Sequence, residues 1–150
     1  MANVTARAEH RFATLTPDAV YDSWLDPERV RAWMQRTIAR AGRTAQVTDI
    51  DIDAREGGWY RFVDLDKDGN ANPAWGYYMD MVPGRRQVFT WFVEPEEEAQ
   101  DNSTVTLELI AEGQGCLAVM THEMDAQWAE YIEPTAKAWA SMLISIEETA

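Results

Sequence analysis

The sequence has a single cysteine, Cys116, and only two histidines, His10 and His122. One thiol excludes an internal disulfide and fits a reducing compartment. Three soft donors on separate segments fall short of the four clustered ligands of a structural zinc site, so no metal is expected. Positive charge is also scarce: 13 Lys and Arg stand against 26 Asp and Glu, a net of -13. Such a surface repels phosphate backbones and anionic headgroups, which disfavours nucleic acid and membrane partners. No run of apolar residues approaches the length of a membrane span. Met1 to His10 carries Arg7, Glu9 and His10 in place of the apolar core of a secretion signal. Cytoplasm is the expected location. A G-x-S-x-G elbow is missing, and so is a Gly-rich phosphate loop; no cofactor is expected.

What is present is bulk. Seven Trp occur in 150 residues. Each offers a large apolar area with one polar tip, which suits a core and a ligand pocket equally. The length fits one domain, residues 1–150, burying about two-thirds of its unfolded surface.

The N-terminal residues Val4, Ala6, Ala8, His10 and Phe12 alternate with Thr5, Arg7, Glu9 and Arg11, the period of a half-buried strand. Thr16-Pro17-Asp18 and Asp26-Pro27-Glu28 then signal two helix starts, each a capping residue followed by Pro at the first helical position. Val20, Tyr21 and Trp24 supply one buried side, and Val30, Trp33 and Met34 the next. Arg36, Arg40 and Arg43 form the one basic cluster; they suit a solvated helix end or an anion contact. From Gln46 onward the pattern is strand after strand. The runs around Ile50, Trp59–Asp64, Trp75–Val82, Gln87–Val93, Val105–Leu109 and Cys116–Met124 are divided by Glu56-Gly57-Gly58, Pro83-Gly84 and Glu112-Gly113-Gln114-Gly115. Glu94 to Asn102 reads as an acidic loop. Six closely spaced strands make a meander, and the first strand makes seven.

The last stretch, Asp125 to Thr149, places Trp128, Ile132, Ala136, Trp139, Leu143 and Ile146 on one side of a helix. The opposite side shows Glu130, Glu133, Lys137, Ser141, Ser145 and Glu148. Pro134 lacks a backbone donor, which predicts a kink or a fresh start near it.

Asp64-Leu65-Asp66-Lys67-Asp68-Gly69-Asn70 begins like a calcium loop, but the closing position is Trp75 and Lys67 puts a cation in the shell. Asp-Gly and Asn form turns in their own right, so a hairpin loop is expected. Cys116 within an apolar strand is expected to be inert.

Several strings resemble those of a known family. Val20 to Glu28, read V-Y-D-S-W-L-D-P-E, resembles its first-helix signature. Asp53 to Gly58 resembles its D-x-R-x-G-G turn, and Gly76 to Pro83 its G-x-Y-x-E-I-x-P strand, with Asp80 for the usual Glu. Phe89-Thr90-Trp91, Thr104-Val105-Thr106, Thr121-His122 and Ala138-Trp139 follow in order, Ala138 replacing a Gly. Over nearly its whole length the chain resembles the bacterial Hsp90-ATPase-activator-homologue group of the START-like (SRPBCC) superfamily. The resemblance implies an α+β helix-grip fold: a seven-stranded curved antiparallel sheet wrapped on a long C-terminal helix, with two short helices after strand 1. It also implies a cavity between sheet and helix.

With a register partly carried over from that family, the residues expected to line the cavity are Tyr60, Phe62, Tyr78, Asp80, Phe89, Trp91, Met120 and His122. Trp139 and Met142 are expected to cover them. Trp59, Arg61 and Val63 would lie on the reverse face, where a homodimer contact is conceivable. Three functions follow. The first is binding of a small, largely hydrophobic molecule without catalysis, with Tyr78, Asp80 and His122 orienting it. The second is a cyclase- or dehydratase-type enzyme using Asp80 and His122 for proton transfer. The third is an Hsp90 co-chaperone-like interaction module, which a one-domain chain supports least.

Overall fold

In the computed structural model, which describes residues 3–150, the alternating N-terminal segment forms strand β1 (Asn3–Phe12). Helix α1 (Pro17–Ser23) starts where the sequence signals it, with Thr16 Oγ1 accepting the Ala19 amide at 3.1 Å. Helix α2 (Pro27–Arg40) starts on Asp26, whose carboxylate takes the Glu28 amide at 2.9 Å. Both caps satisfy donors that the first turn cannot bond internally. Residues 35–40, which carry Arg36 and Arg40 of the basic cluster, are the C-terminal end of α2.

Six strands follow: β2 (Ala45–Ile52), β3 (Trp59–Asp66), β4 (Ala71–Val82), β5 (Arg86–Thr90), β6 (Ser103–Glu112) and β7 (Gly115–Asp125). All pairings are antiparallel, in the order β1-β7-β6-β5-β4-β3-β2. The meander is the one expected, and β1 returns to pair with the last strand. Residues 67–70 are the hairpin turn between β3 and β4, in which Asp66 Oδ1 accepts the amides of Asp68 and Asn70, both at 2.9 Å. The expected acidic loop differs: Pro95–Gln100 is a one-and-a-half-turn helix, α3, at whose start Glu97 Oε1 accepts the Glu94 amide at 2.9 Å. Pro95 at the first position and Glu97 at the third were its signal.

The C-terminal stretch is broken, as Pro134 suggests. A 3-10 helix (Ala126–Tyr131) leads into α4 (Ile132–Thr149), with Pro134 in the first turn of α4, where its missing donor costs nothing. Trp139, Leu143 and Ile146 are buried against the sheet. Two expectations for this helix fail. Ser145, placed with the solvent side, is fully buried, and Trp128, placed on the buried stripe, remains 36% exposed. Helix α2 packs on the flank of α4 that was expected to face water. There the basic cluster is used up: Arg40 Nη1 donates to Ser145 Oγ at 2.6 Å and to the Ser141 carbonyl at 2.9 Å, and Arg36 and Arg40 both meet Glu148. Arg43 reaches Asp64 at 3.2 Å.

Under α1 and α2 the core is aromatic. Trp24 lies 4.6 Å from Trp33 and 6.1 Å from Trp139, measured between ring centres. Buried polar groups tie the layers: Trp33 Nε1 donates to the Ser23 carbonyl at 2.8 Å, and Gln87 Nε2 to the Tyr21 carbonyl at 3.1 Å. His10 shares the inner face with Phe12, as expected, and reaches Glu147 of α4 at 2.8 Å. On the reverse face Trp59 and Arg61 are exposed; Val63, expected beside them, is buried. Among the described residues no helix is long and apolar enough to cross a membrane.

Candidate functional site

A cavity of about 620 Å³ opens between the sheet and the N-terminal end of α4. Its floor is the end of β7 with the starts of β5–β6 connections: Trp91, Ser103, His122 and Met124. Its roof is Trp139 and Met142 of α4, and its rim is Glu94, Glu96 and Glu97 beside Trp128 and Tyr131. Beside it the space is filled by Trp24, which follows α1, and Trp33 of α2, Trp24 lying 6.1 Å from Trp139 between ring centres.

Of the residues expected to line the cavity, Trp91, His122, Trp139 and Met142 do border it. Tyr60, Phe62, Tyr78 and Phe89 do not. They pack with Trp24, Gln87 and Trp91 around a void of about 10 Å³, room for about one water molecule. Tyr60 donates its hydroxyl to the Thr90 carbonyl, and burial raises both the Tyr60 and Tyr78 phenols well above their ordinary range. Met120 is fully buried core.

Asp80 is displaced for a definite reason. Tyr78 pairs with Phe89 but Asp80 pairs with Val88, so Met79 is an extra residue in β4. That bulge turns Asp80 onto the outer face, since one step on β5 reverses the side of the sheet. There its carboxylate pairs with Arg86 at 2.8 Å. His122 lies on the inner face, three strands away, or about 14 Å at the usual strand spacing. The expected Asp80–His122 pair is corrected on that ground: the two side chains do not converge.

Sequence reasoning missed the partner that His122 does have. Ser103 Oγ lies 2.7 Å from Nε2, and Trp139 Nε1 donates to Nδ1 at 3.1 Å. The first contact looks like a nucleophile and its base. The second forbids that chemistry. Indole nitrogen is only a donor, so Nδ1 must be the bare nitrogen and the imidazole proton must sit on Nε2. Nε2–H then donates to Ser103 and cannot take its proton. Desolvation holds the ring neutral, lowering its pKa to about 4. The signal in the sequence was only that Ser103 faces the same way as Val105 and Leu107 on an alternating strand.

At the rim, Glu97 Oε1 accepts the amides of Val93 and Glu94, both at 2.9 Å. Glu98, on the outer side of α3, takes Trp75 Nε1 at 2.8 Å and the Tyr77 hydroxyl at 2.5 Å; those bonds hold its carboxyl below the ordinary range. Among the described residues neither Lys nor Arg borders the cavity. Cys116 is remote and buried, and desolvation pushes its thiol up. Among the described residues no three His, Cys, Asp or Glu side chains gather as metal ligands.

The model of the Activator of Hsp90 ATPase homolog 1-like protein family matches residues 14–150. Among solved structures, the chain is similar to protein NE0264 from Nitrosomonas europaea, with TM-score 0.76 and 18% identity over 97% of this chain and 93% of that one. It is similar to protein CV1439 from Chromobacterium violaceum, with TM-score 0.72 and 22% identity over 97% and 96%. Mll3558 from Rhizobium loti gives 0.70 and 22% over 99% and 98%. At those identities the likeness establishes the fold alone. No curated protein matches the chain.

Proposed function

The chain belongs to the Activator of Hsp90 ATPase homolog 1-like protein family, and from that premise we propose that it binds a small, largely hydrophobic molecule without transforming it. The observation that carries this reading is the hollow of about 620 Å³ walled by Trp91, Met124, Trp139 and Met142. Its size is that of ligand pockets generally, and its lining is apolar with a few polar groups, as such pockets are. Trp91, His122, Trp139 and Met142 are the contact residues carried forward from the sequence, joined by Ser103, Met124, Trp128 and Tyr131.

Catalysis by proton transfer finds little support in the geometry. Asp80 is on the other face, and His122 is neutral with its basic nitrogen covered by Trp139. A role as an Hsp90-binding module rests on the family description alone.

Native mass spectrometry of freshly purified protein tests the proposal. An adduct of a few hundred daltons that is lost on organic extraction supports it. Extracted protein that fails to take up any of a broad set of apolar compounds removes it.

A further inference from the structure

Of the residues bordering the cavity, Ser103 and His122 are the polar ones buried from solvent. Their hydrogen bonds run in one direction. Trp139 N–H donates to His122 Nδ1, and Nε2–H donates to Ser103 Oγ, over 3.1 and 2.7 Å. The order is imposed from the indole end, because the indole has no other role to play. Turning the imidazole ring over does not change it, since whichever nitrogen meets Trp139 must be the bare one. Ser103 Oγ therefore spends a lone pair on His122 and keeps its own proton to give away. Among the described residues no acceptor for that proton is present, and Ser103, which borders the hollow, is 3% exposed. A buried donor with nothing to donate to costs free energy until a partner arrives.

The rim decides the charge of that partner. A carboxylate would suit a lone hydroxyl donor as well as a carbonyl would. Glu94, Glu96 and Glu97 line the entrance, however, and among the described residues no Lys or Arg borders the cavity to pair with an anion. Burying an unpaired anion among Trp91, Met124 and Trp139 is far costlier than burying a neutral acceptor. We propose that the cavity selects an uncharged, carbonyl-bearing hydrophobic ligand, its oxygen anchored by the Ser103 hydroxyl and its apolar body lying between Trp91 and Trp139. This rests on the cavity being a binding site. It adds a named anchor and excludes fatty acids and other anionic amphiphiles as ligands. His122 is a positioning residue here: it fixes which way the serine proton points and does not itself meet the ligand oxygen.

Three naphthalene probes with the same dimethylamino group test it: 6-propionyl (a ketone), 6-propyl (no acceptor) and 6-carboxylate. Affinities are read by fluorescence titration on the native protein, on Ser103→Ala and on Ser103→Thr. The ketone is expected to bind about fivefold tighter than the propyl probe to the native protein. That advantage should vanish in Ser103→Ala, with a blue shift of ketone emission as its carbonyl loses a hydrogen bond, and should persist in Ser103→Thr. The carboxylate should bind at least about tenfold more weakly than the ketone. Because both neutral probes are measured on each variant, a general loosening of the variant cancels in the ratio. A ketone-to-propyl ratio unchanged by Ser103→Ala overturns the anchor while leaving the cavity as a binding site. A carboxylate that binds as tightly as the ketone overturns the charge selection. If no probe binds the native protein at all, the binding function itself falls and the anchor with it.

Discussion

The indole of Trp139 and the imidazole of His122 meet at 3.1 Å, nitrogen to nitrogen, and this one bond fixes the protonation of the ring. It predicts that Nε2 carries the proton in the native protein at neutral pH, which imidazole nitrogen shifts in a ¹⁵N spectrum report directly. In Trp139→Phe the donor is gone, Nδ1 is free to hold the proton, and a mixture of the two tautomers is expected. A single, unchanged tautomer in that variant would contradict the assignment.

The same ring makes stability depend on pH. Desolvation lowers His122 to about 4 in the folded protein, against an ordinary 6.5. Between those values the unfolded chain binds a proton that the folded one refuses, so stability rises with pH across the window and falls as pH drops from about 6.5 towards about 4. Two and a half units correspond to about 3 kcal/mol as an order of magnitude. Urea unfolding at about pH 7 and about pH 5 should show His122→Phe losing less stability on acidification than the native chain. Equal losses would mean that the ring titrates normally.

Arg40 is predicted to stabilise the α2–α4 contact through its serines more than through its ion pair. Ser145 is fully buried and receives Arg40 Nη1 at 2.6 Å, whereas Glu148 is 40% exposed and its pairing is screened. Arg40→Met should therefore cost about 1–2 kcal/mol, and Glu148→Gln well under about 1 kcal/mol. Denaturant midpoints of the two variants check the order; a larger loss for Glu148→Gln reverses it.

Gly76 of β4 lies against Thr90, at the end of β5, and Tyr60 of β3. A Cβ there would lie 1.9 Å from the Thr90 carbonyl oxygen and 2.7 Å from the Tyr60 hydroxyl. Backbone cannot yield that far, so Gly76→Ala should destabilise by on the order of 3 kcal/mol or fail to fold. A melting temperature within a few degrees of native would show that the strands part more easily than this packing implies.

Cys116 is predicted to be slow towards thiol reagents. Burial excludes the reagent and desolvation raises the thiol pKa, which lowers the thiolate fraction. Ellman's reagent should react at the rate of global opening, accelerating on addition of urea. Immediate full reaction in buffer would refute it.

The architecture could be read from the chain because its signals are local. The alternation of β1, the Thr16-Pro17 and Asp26-Pro27 starts, and the break near Pro134 each depend on neighbours a few residues away. The site could not, because it depends on one inserted residue and on what lies across the fold. Met79 carries no mark as a bulge, yet it moves Asp80 to the other side of the sheet. The aromatics of β3, β4 and β5 look as fit for a pocket as Trp91 does; only the placement of α1 and α2 over them decides that they are core. Ser145 reads as a solvent-side residue until α2 is known to cover that flank. Ser103 is an ordinary strand serine until its hydroxyl is seen against His122.

Both walls of the entrance are brief: α3 has six residues and the 3-10 turn before α4 has six. Neither buries a side chain fully, while the strands beneath them do. Elements that bury so little are held by hydrogen bonds such as those of Glu97 and Glu98 more than by apolar contact, which puts them at the low end of local stability. Opening at this edge would leave the sheet and the long helix paired.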